Sequence, residues 1–406
     1  MPSRYTALHD ILTNSLGGGV GFLVFQSHGD RLVRFVETRI AQARKRLRPW
    51  SGGSLSRLCF IGCLGIAAVF TALLQRSADF KNWDGSCRIV LGNEAIGLRD
   101  WYGQMFEVQI SGSALSATEA SRVRSHRKFR LNEPLLFSAR WTKSGSFEDE
   151  IGLVPPLAWQ KGLPSGTYGA GSRRFGDGHW LRTEKPATRL ADATRKLNQI
   201  TIYARAATAS AHQQGPARLV SFSKDPLHRN FTLGQQGTDL VYRLRTRVTN
   251  DNGYPQLVIP GVFATHETQD IIFTYDGSRS RVFVNGVEQS PQIEHNPGVI
   301  LFAKLYGRRG EYYFEDLKIL YYGPVFGTLG VLLLFTKSHR APLLSVKTFI
   351  GIVTPSLVVE GLVVYASGKF WNDGNVLLGC VLTFGGYALT AYAFRTTSAP
   401  AETSPT

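Results

Sequence analysis

Long stretches without charged residues constrain this chain more than any other feature of its sequence. A helix needs roughly 17 to 25 mostly apolar residues to cross a bilayer core about 30 Å thick. The sequence therefore predicts five membrane segments, and a purely soluble protein is disfavoured. These segments lie within residues 11–29, 58–75, 319–336, 348–365 and 374–394, and the fourth contains one charged residue, Glu360.

The distribution of positive charge predicts the orientation of these segments. The chain has 46 Lys and Arg residues against 30 Asp and Glu residues, a net charge of +16. Short loops rich in Lys and Arg are retained in the cytoplasm. The densest basic cluster, at residues 31–57, is therefore expected to be cytoplasmic, and the large block at 78–318 extracytoplasmic. A soluble nucleic-acid-binding protein would concentrate its charge in one basic stripe, so we expect the lipid bilayer, and no nucleic acid, as a partner.

The same features divide the chain into six parts. They are a first membrane segment (1–30), a basic cytoplasmic loop (31–57), a membrane helix (58–76), the extracytoplasmic block (78–318), three further membrane helices (319–395) and an expected disordered tail (396–406). Of the four cysteines, only Cys87 lies in the block, so we expect no disulfide within it. The block must then be stabilised by its own core.

The extracytoplasmic block has the pattern of an all-β domain. Alternating apolar residues in Ile271–Tyr275 end at Asp276-Gly277, resume, and end again at Asn285-Gly286. Asn, Asp and Gly readily adopt the positive φ that tight hairpin turns require. We therefore predict two adjacent hairpins here. About a dozen short strands over the whole block predict a two-sheet sandwich or jelly roll.

Three runs carry a resemblance to a known fold: YDGSRSRVFVNG, LGNEAIGLRDWYGQMFEVQISGSALSATE and ARLVSFSKDPLHRNFTLGQ. They resemble the laminin-G or concanavalin-like jelly roll. The resemblance implies a ligand, often a carbohydrate, on the concave sheet or at the rim loops, sometimes with calcium. No cofactor is assigned, and calcium stays open.

The membrane parts carry a second resemblance. SRYTALHDILTNSLGGGVG resembles the late helix motif of the VanZ-like membrane family, and SLVVEGLVVYASGKF resembles its acidic helix followed by a basic residue. The resemblance implies an envelope function linked to glycopeptide resistance. Its matching residues are Arg4, Asp10, Asn14, Gly17, Gly21 and Glu360.

Three residues form a predicted polar seam within the membrane. Glu360 lies inside an apolar run, where an ionised carboxylate is costly unless it is paired or faces water. Asp10 and Asn14 are four residues apart, so they share one face of a helix. We predict that this face meets Glu360. In the alternatives, Glu360 pairs with Lys369 or reaches the outer interface, and Asp10 caps a helix start.

The block also contains residue types that bind sugars. Carbohydrate sites combine an aromatic face with Asn, Asp and Arg groups for the hydroxyls. The predicted ligand-binding residues are Asn93, Glu94, Trp101, Arg229 and Asn230. In the alternative, the aromatic residue, Trp101, packs in the core of the domain and does not contact a ligand.

Catalytic signals are weaker than these binding signals. Glu148 and Glu150 have the i, i+2 spacing of concanavalin-like glycosidases, but their neighbours indicate a solvated acidic turn. No Gly-x-Ser-x-Gly elbow occurs in the sequence. We therefore predict no catalytic residues, leave metal ligands open, and favour a protein that is not an enzyme.

Two function classes follow from these features. The first is a membrane-anchored recognition module of a bacterial inner membrane, which binds a glycan or envelope polymer through its jelly roll. The second is a VanZ-like envelope enzyme or transporter with a polar site in its helices. A structural subunit of a larger membrane complex stays open as a third alternative.

Overall fold

The computed structural model describes most of the chain from Ser54 onwards. It covers residues 54–122, 131–132, 134–141, 147–162, 173–306, 316–337 and 345–396, together with Thr38 and Gln42. The predicted first membrane segment, nearly all of the basic loop and the tail from residue 397 lie outside these ranges.

Seven helices occur in the described ranges, and four of them are long and apolar enough to cross a membrane. These four are α1, α5, α6 and α7, so four of the five predicted segments are confirmed as helices of the required length. The fifth lies outside the described residues. The helices are α1 (Ser54–Gln75), α2 (Ala117–Ser121), α3 (Thr188–Lys196), α4 (Pro297–Tyr306), α5 (Asp316–Phe335), α6 (Val346–Ser367) and α7 (Asp373–Thr396).

The region between α1 and α5 is built mainly from short strands. They are β1 (Arg88–Leu91), β2 (Gly103–Ser111), β3 (Leu135–Trp141), β4 (Phe147–Asp149), β5 (Leu157–Trp159), β6 (Arg173–Phe175), β7 (Leu181–Thr183), β8 (Ile200–Thr208), β9 (Ala217–Ser223), β10 (Arg229–Gln236), β11 (Asp239–Leu244), β12 (Leu257–Ile259), β13 (Gln269–Tyr275), β14 (Arg279–Val284), β15 (Val287–Glu288) and β16 (Ile293–Glu294). We call this region the β domain.

The strands form two antiparallel sheets around one core. The seven-stranded sheet has the order β12-β11-β10-β9-β1-β7-β5. The nine-stranded sheet has the order β15-β14-β13-β8-β2-β3-β4, with β16 paired to β14 and β6 paired to β2. A single buried cluster contains Phe222 and Phe231 from the first sheet and Ile202 and Phe273 from the second. This arrangement is a β-sandwich, in which the inner faces of two sheets are buried together.

The predicted double hairpin is confirmed. β13 pairs with β14 and β14 pairs with β15, both antiparallel. The residues that end the alternation adopt positive φ, with +90° at Gly277, +50° at Asn285 and +75° at Gly286. The local turn chemistry therefore specifies this part of the nine-stranded sheet.

The predicted acidic turn around Glu148 and Glu150 is wrong in part. Residues Phe147–Asp149 form β4, which pairs with β3 through Ala139 and Asp149. One oxygen of the Asp149 carboxylate accepts hydrogen bonds from the amides of Ser138 and Ile151, both 3.1 Å long. This carboxylate fixes the end of the strand, which the spacing of the acidic residues does not reveal.

The chain divides into two compact units. One comprises residues 1–64, 326–353 and 380–406; the other comprises residues 65–325 and 354–379, and so contains the whole β domain. In the first unit α5 and α7 approach through small residues. A Cβ at Gly386 would lie 2.2 Å from the carbonyl oxygen of Gly327, and one at Gly330 would lie 2.0 Å from that of Thr383. Small residues at such crossings let membrane helices pack backbone to backbone.

The second unit contains a fully buried histidine with a perturbed pKa. His295 follows β16, and its ring packs edge-on against Tyr275 at 5.9 Å. Burial lowers the pKa of His295 from 6.5 to about 4. The folded protein therefore keeps this imidazole neutral at pH values where the unfolded chain protonates it.

We expect acid to destabilise the protein in part through His295. Because its folded pKa is depressed, stability falls as the pH drops from about 6.5 to about 4, and at pH 5 the loss is about 2 kcal/mol. The variant His295→Gln should lack this component, since it has no proton to take up. Unfolding free energies of the detergent-solubilised proteins at pH 7.5 and pH 5 measure the difference. An equal loss in both proteins would contradict the assignment.

Candidate functional site

The turn between β13 and β14 docks against the ends of two long helices. The side-chain amide of Gln75, the last residue of α1, donates to the carbonyl oxygens of Gly277 (3.2 Å) and His295 (2.9 Å). A Cβ at Gly277 would lie 2.6 Å from Nδ2 of Asn198 and 3.1 Å from the oxygen of Ser367, at the end of α6. Only glycine combines this approach with a φ of +90°.

The loop between α6 and α7, residues 368–372, is bonded to the same turn. The second carboxylate oxygen of Asp276 accepts a hydrogen bond of 3.3 Å from the amide of Phe370. Its first oxygen accepts from the amides of Ser278 (2.9 Å) and Arg279 (2.6 Å) in its own turn. Asp276 therefore holds the hairpin turn and the helix-connecting loop in one arrangement. The side chain of Gln199 adds a hydrogen bond to the carbonyl of Gly368.

The carboxylate of Glu360 organises this loop from inside the helices. Glu360 is 2% exposed and forms an ion pair with Lys369. One of its oxygens also accepts from the amide of Asn372 (3.0 Å), and the other accepts from Nδ2 of Asn375 (3.2 Å). Both oxygens of the carboxylate are therefore bonded to groups from the loop and the start of α7.

A pocket of about 160 Å³ opens where the loop faces the β domain. It is lined by Ser116, Asp276, Ser278, Arg279, Arg281, Glu294, Lys369, Phe370, Trp371 and Asn372. The lining thus combines cationic, anionic, hydroxyl, amide and aromatic groups, which are able to form hydrogen bonds with a polar ligand.

The charged groups of the pocket differ in how fully they are paired. Glu294 lies 3.9 Å from Arg279 and 3.3 Å from Lys318. Arg281 lies 4.0 Å from Glu288 and donates through Nη2 to the carbonyl of Leu115 (2.8 Å). Its Nε is buried and has no acceptor among the described residues. Arg281 therefore lines the pocket and has unmet hydrogen-bonding capacity.

Two exposed aromatic residues complete the rim. Phe370 is 40% exposed and Trp371 is 47% exposed, although both lie in the short loop between two membrane-length helices. The guanidinium of Arg281 lies 5.4 Å from the centre of the Phe370 ring. Trp is enriched where membrane helices meet water, and the loop between two membrane-length helices is a place where such a residue is expected.

The predicted ligand-binding residues are all buried, and the structure gives them partners within the β domain. Oδ1 of Asn93 accepts from the amides of Glu94 and Arg99, both at 2.8 Å. The Glu94 carboxylate accepts from the amides of Ile96 (3.1 Å) and Leu98 (2.8 Å). These two side chains shape the loop that follows β1.

The other three predicted residues lie in different places. Trp101 is in the core, where its Nε1 donates to Gln235 (3.0 Å). Asn230 exchanges two hydrogen bonds with the backbone of Asp84. Only Arg229 has buried side-chain nitrogens without an acceptor. The five residues do not form one exposed site, and ligand binding by them stays a prediction.

The predicted polar seam is described only in part. Asp10 and Asn14 lie outside the described residues. For Glu360, the structure gives the contacts of the alternative reading, a buried pair with Lys369. The shared seam with the first segment stays a prediction.

Sequence reasoning missed the pocket because its parts are far apart in the chain. Asp276 was expected in a turn, but no sequence signal links that turn to residues 368–372, more than ninety positions later. The one available signal was the pair of adjacent aromatics, Phe370 and Trp371, between two apolar runs. Such a pair indicates an interface but does not identify its neighbours.

Neither a search for metal-binding groups nor comparison with known proteins assigns a function to this site. Within the described ranges, no group of three or more His, Cys, Asp or Glu side chains could hold a metal ion. No protein-family model, curated protein or solved structure matches this chain. The laminin-G-like and VanZ-like resemblances therefore rest on the sequence motifs alone.

The ion pair of Glu360 and Lys369 gives a stability prediction. Removing one partner of a buried pair costs about 3 to 5 kcal/mol, because the other charge is left unpaired. We expect losses of this size for Glu360→Gln and for Lys369→Met, and a smaller loss for the double variant than the sum of the two. Denaturant unfolding in detergent micelles measures this coupling.

Asp373→Asn provides a matched control, since its carboxylate belongs to the same hairpin but is exposed. We expect it to cost less than about 1 kcal/mol. If Glu360→Gln were as stable as the unmodified protein, the pair would not be structural, and a role for Glu360 in the predicted seam would be favoured instead.

Proposed function

We propose that this protein is a membrane-anchored recognition module that binds a phosphate-bearing glycan, such as the headgroup of an envelope glycolipid, in the pocket beside the α6–α7 loop. The observation that carries the proposal is Arg281, which lines an open pocket and has a buried Nε without an acceptor in the described structure. An unpaired guanidinium N–H is costly to bury and is satisfied well by a phosphate or carboxylate oxygen.

The remaining lining supports a sugar next to the phosphate. Trp371 offers an exposed aromatic face, on which a sugar ring stacks. Ser278 and Asn372 supply polar groups in reach of hydroxyls, and Asp276 and Glu294 supply acceptors. The lining also gives the pocket both signs of charge, which disfavours a purely apolar ligand.

We propose further that the β domain is a jelly roll on the extracytoplasmic side of a bacterial inner membrane. The two antiparallel sheets around one core are compatible with that fold. The basic residues of 31–57 support the orientation, because such loops stay in the cytoplasm. A glycan-bearing envelope component is available on the opposite side.

The second candidate function is a VanZ-like envelope enzyme or transporter with its site in the helices. The observation in its favour is that a carboxylate, Glu360, is buried on a membrane-length helix. Its contacts with Lys369, Asn372 and Asn375 occupy both oxygens, which favours a structural role. We therefore place recognition first and keep a subunit of a larger membrane complex as the outcome if no ligand binds.

Binding of a glycosyl phosphate tests the pocket. For the protein in nanodiscs, we expect glucose 1-phosphate to bind and methyl glucoside, which has no phosphate, to bind more weakly. Glycerophosphoethanolamine, which has a phosphate but no sugar, tests whether the pocket binds a phospholipid headgroup instead. Arg281→Met should weaken glucose 1-phosphate binding about 10-fold or more, since a hydrogen bond to a charged group contributes about 1.5 to 3 kcal/mol. Calorimetric titration measures all three ligands.

Arg205→Met is the matched control. Arg205 is also on the nine-stranded sheet and also has a buried Nε without an acceptor, but it lies outside the pocket lining. We expect this variant to bind as the unmodified protein does. Equal binding by Arg281→Met, or no binding of any of the three compounds, would refute the proposed site.

Thiol labelling tests the orientation. In a background without the four native cysteines, single cysteines at Gly52 and Asn285 are treated with an impermeant reagent on intact cells. We expect labelling at Asn285, in the turn between β14 and β15, and none at Gly52 in the basic loop. Labelling at Gly52 alone would reverse the topology and remove the extracytoplasmic ligand.

A further inference from the structure

The seven-stranded sheet carries arginines on the face opposite the shared core. Leu233 and Tyr242 are paired across β10 and β11 and belong to the core. Because side chains alternate along a strand, the neighbouring pair, Thr232 and Arg243, lies on the other face. Arg229 is also on this face, since its Nη1 lies 3.4 Å from Oγ1 of Thr232.

Arg218 lies on β9 between the core residues Ala217 and Leu219, so it also belongs to this face. Arg218 and Arg229 are buried, and neither forms an ion pair within the described residues. Arg218 is 2% exposed and Arg229 is 1% exposed. Nε and Nη1 of Arg218, and Nε and Nη2 of Arg229, have no acceptor in the described parts of the chain. A guanidinium stays charged under ordinary conditions, so each is a buried charge with unmet hydrogen-bonding capacity. Native proteins rarely leave such groups unsatisfied.

The nearby charges do not balance this cluster. Four arginines interact there, namely Arg99, Arg218, Arg229 and Arg243. Two carboxylates oppose them: Glu94 attracts both Arg218 and Arg229, and Asp225 attracts Arg229. Both oxygens of Glu94 already accept backbone hydrogen bonds. Burial, followed by repulsion from the neighbouring arginines, lowers the pKa of Arg218 to about 8 and that of Arg229 to about 9. The protonated forms are therefore destabilised in these surroundings.

The free donors of Arg229 have the geometry of an oxyanion site. Nε and Nη2 form one edge of the guanidinium, with two parallel N–H groups that match two oxygens of a carboxylate, phosphate or sulfate. Arg243 is different, because its nitrogens donate to Asn252, Tyr254 and Gln256. Arg243 therefore contributes only its positive charge, whereas Arg218 and Arg229 also have N–H donors that are not hydrogen-bonded to the described residues.

We propose that Arg218 and Arg229 bind one oxyanion on this face of the seven-stranded sheet, with Arg99 and Arg243 adding to its electrostatic attraction. The site is separate from the pocket on the nine-stranded sheet and does not depend on the proposed function. Its burial favours a small anion over a long polymer. The loop after β1 covers this face, since Oγ of Ser221 donates to the carbonyl of Asn93 (3.0 Å) and Oγ of Ser223 accepts from the amide of Ala95 (3.3 Å).

Thermal unfolding of the full-length protein in detergent tests the site. The probes are sodium sulfate, sodium phosphate and sodium glucuronate, each compared with sodium chloride at equal ionic strength. If sulfate binds with a dissociation constant near 1 mM, 10 mM sulfate should raise the Tm of the unmodified protein by roughly 2 to 4 °C beyond its effect on a double variant that lacks both arginines. Glucuronate distinguishes a sugar carboxylate from an inorganic anion.

The informative variant is the double substitution Arg218→Met and Arg229→Met. In chloride it should be at least as stable as the unmodified protein, because two unneutralised buried charges are removed. In sulfate it should lose this advantage, because it cannot bind the anion. Arg205→Met, on the other sheet, should respond to sulfate as the unmodified protein does.

Sulfate also stabilises proteins in general by exclusion from their surface. The test therefore compares the rise in Tm caused by sulfate between the unmodified protein and each variant. An equal sulfate response in all three proteins would overturn the proposal. If the double variant does not fold, calorimetric titration with sulfate of Arg281→Met, which lacks the proposed anion contact of the pocket on the nine-stranded sheet, replaces it. Saturable binding would then support the site, and its absence up to 10 mM anion would overturn it.

Discussion

One buried carboxylate determines the form of the loop on which the candidate site depends. Glu360 lies on α6, where an unpaired charge would be expensive, and it accepts from Lys369, the Asn372 amide and Asn375. Each of these donors belongs to the following loop or to the start of α7. Compensating the charge therefore requires the chain to fold back around it. The position of the aromatic rim, and hence the mouth of the pocket, follows from that requirement.

The β domain supplies the second half of this arrangement through one turn. Asp276 accepts from its own turn and from the amide of Phe370, while Gln75 donates to the carbonyl of Gly277. These hydrogen bonds join segments that are distant in sequence. Since Gly277 has no Cβ, the turn can approach Ser367 closely. A polar turn and a glycine thus couple an antiparallel sheet to helix ends in the same compact unit.

Local patterns were sufficient to predict the elements but not their meeting points. The membrane-length helices followed from uninterrupted apolar runs, and the double hairpin followed from alternation that ends at Asp276-Gly277 and Asn285-Gly286. Side-chain burial was harder to foresee, because Asn93, Glu94 and Asn230 have the chemistry of a sugar site yet bond to nearby backbone. The Asp276 contact with Phe370 required tertiary structure, which no local pattern encodes.

The protein handles buried charge in two contrasting ways, and the contrast separates structural groups from groups available for binding. The Glu360 carboxylate has an ammonium and two further donors, so a ligand would have to displace existing bonds. Arg218 and Arg229 each have two buried nitrogens without an acceptor in the described residues, so an anion would add bonds there without breaking any. Because leaving such donors unmet costs folding free energy, they are tolerated only where something else is gained. The same reasoning selects Arg281, which lines the pocket and has one buried nitrogen without an acceptor in the described residues.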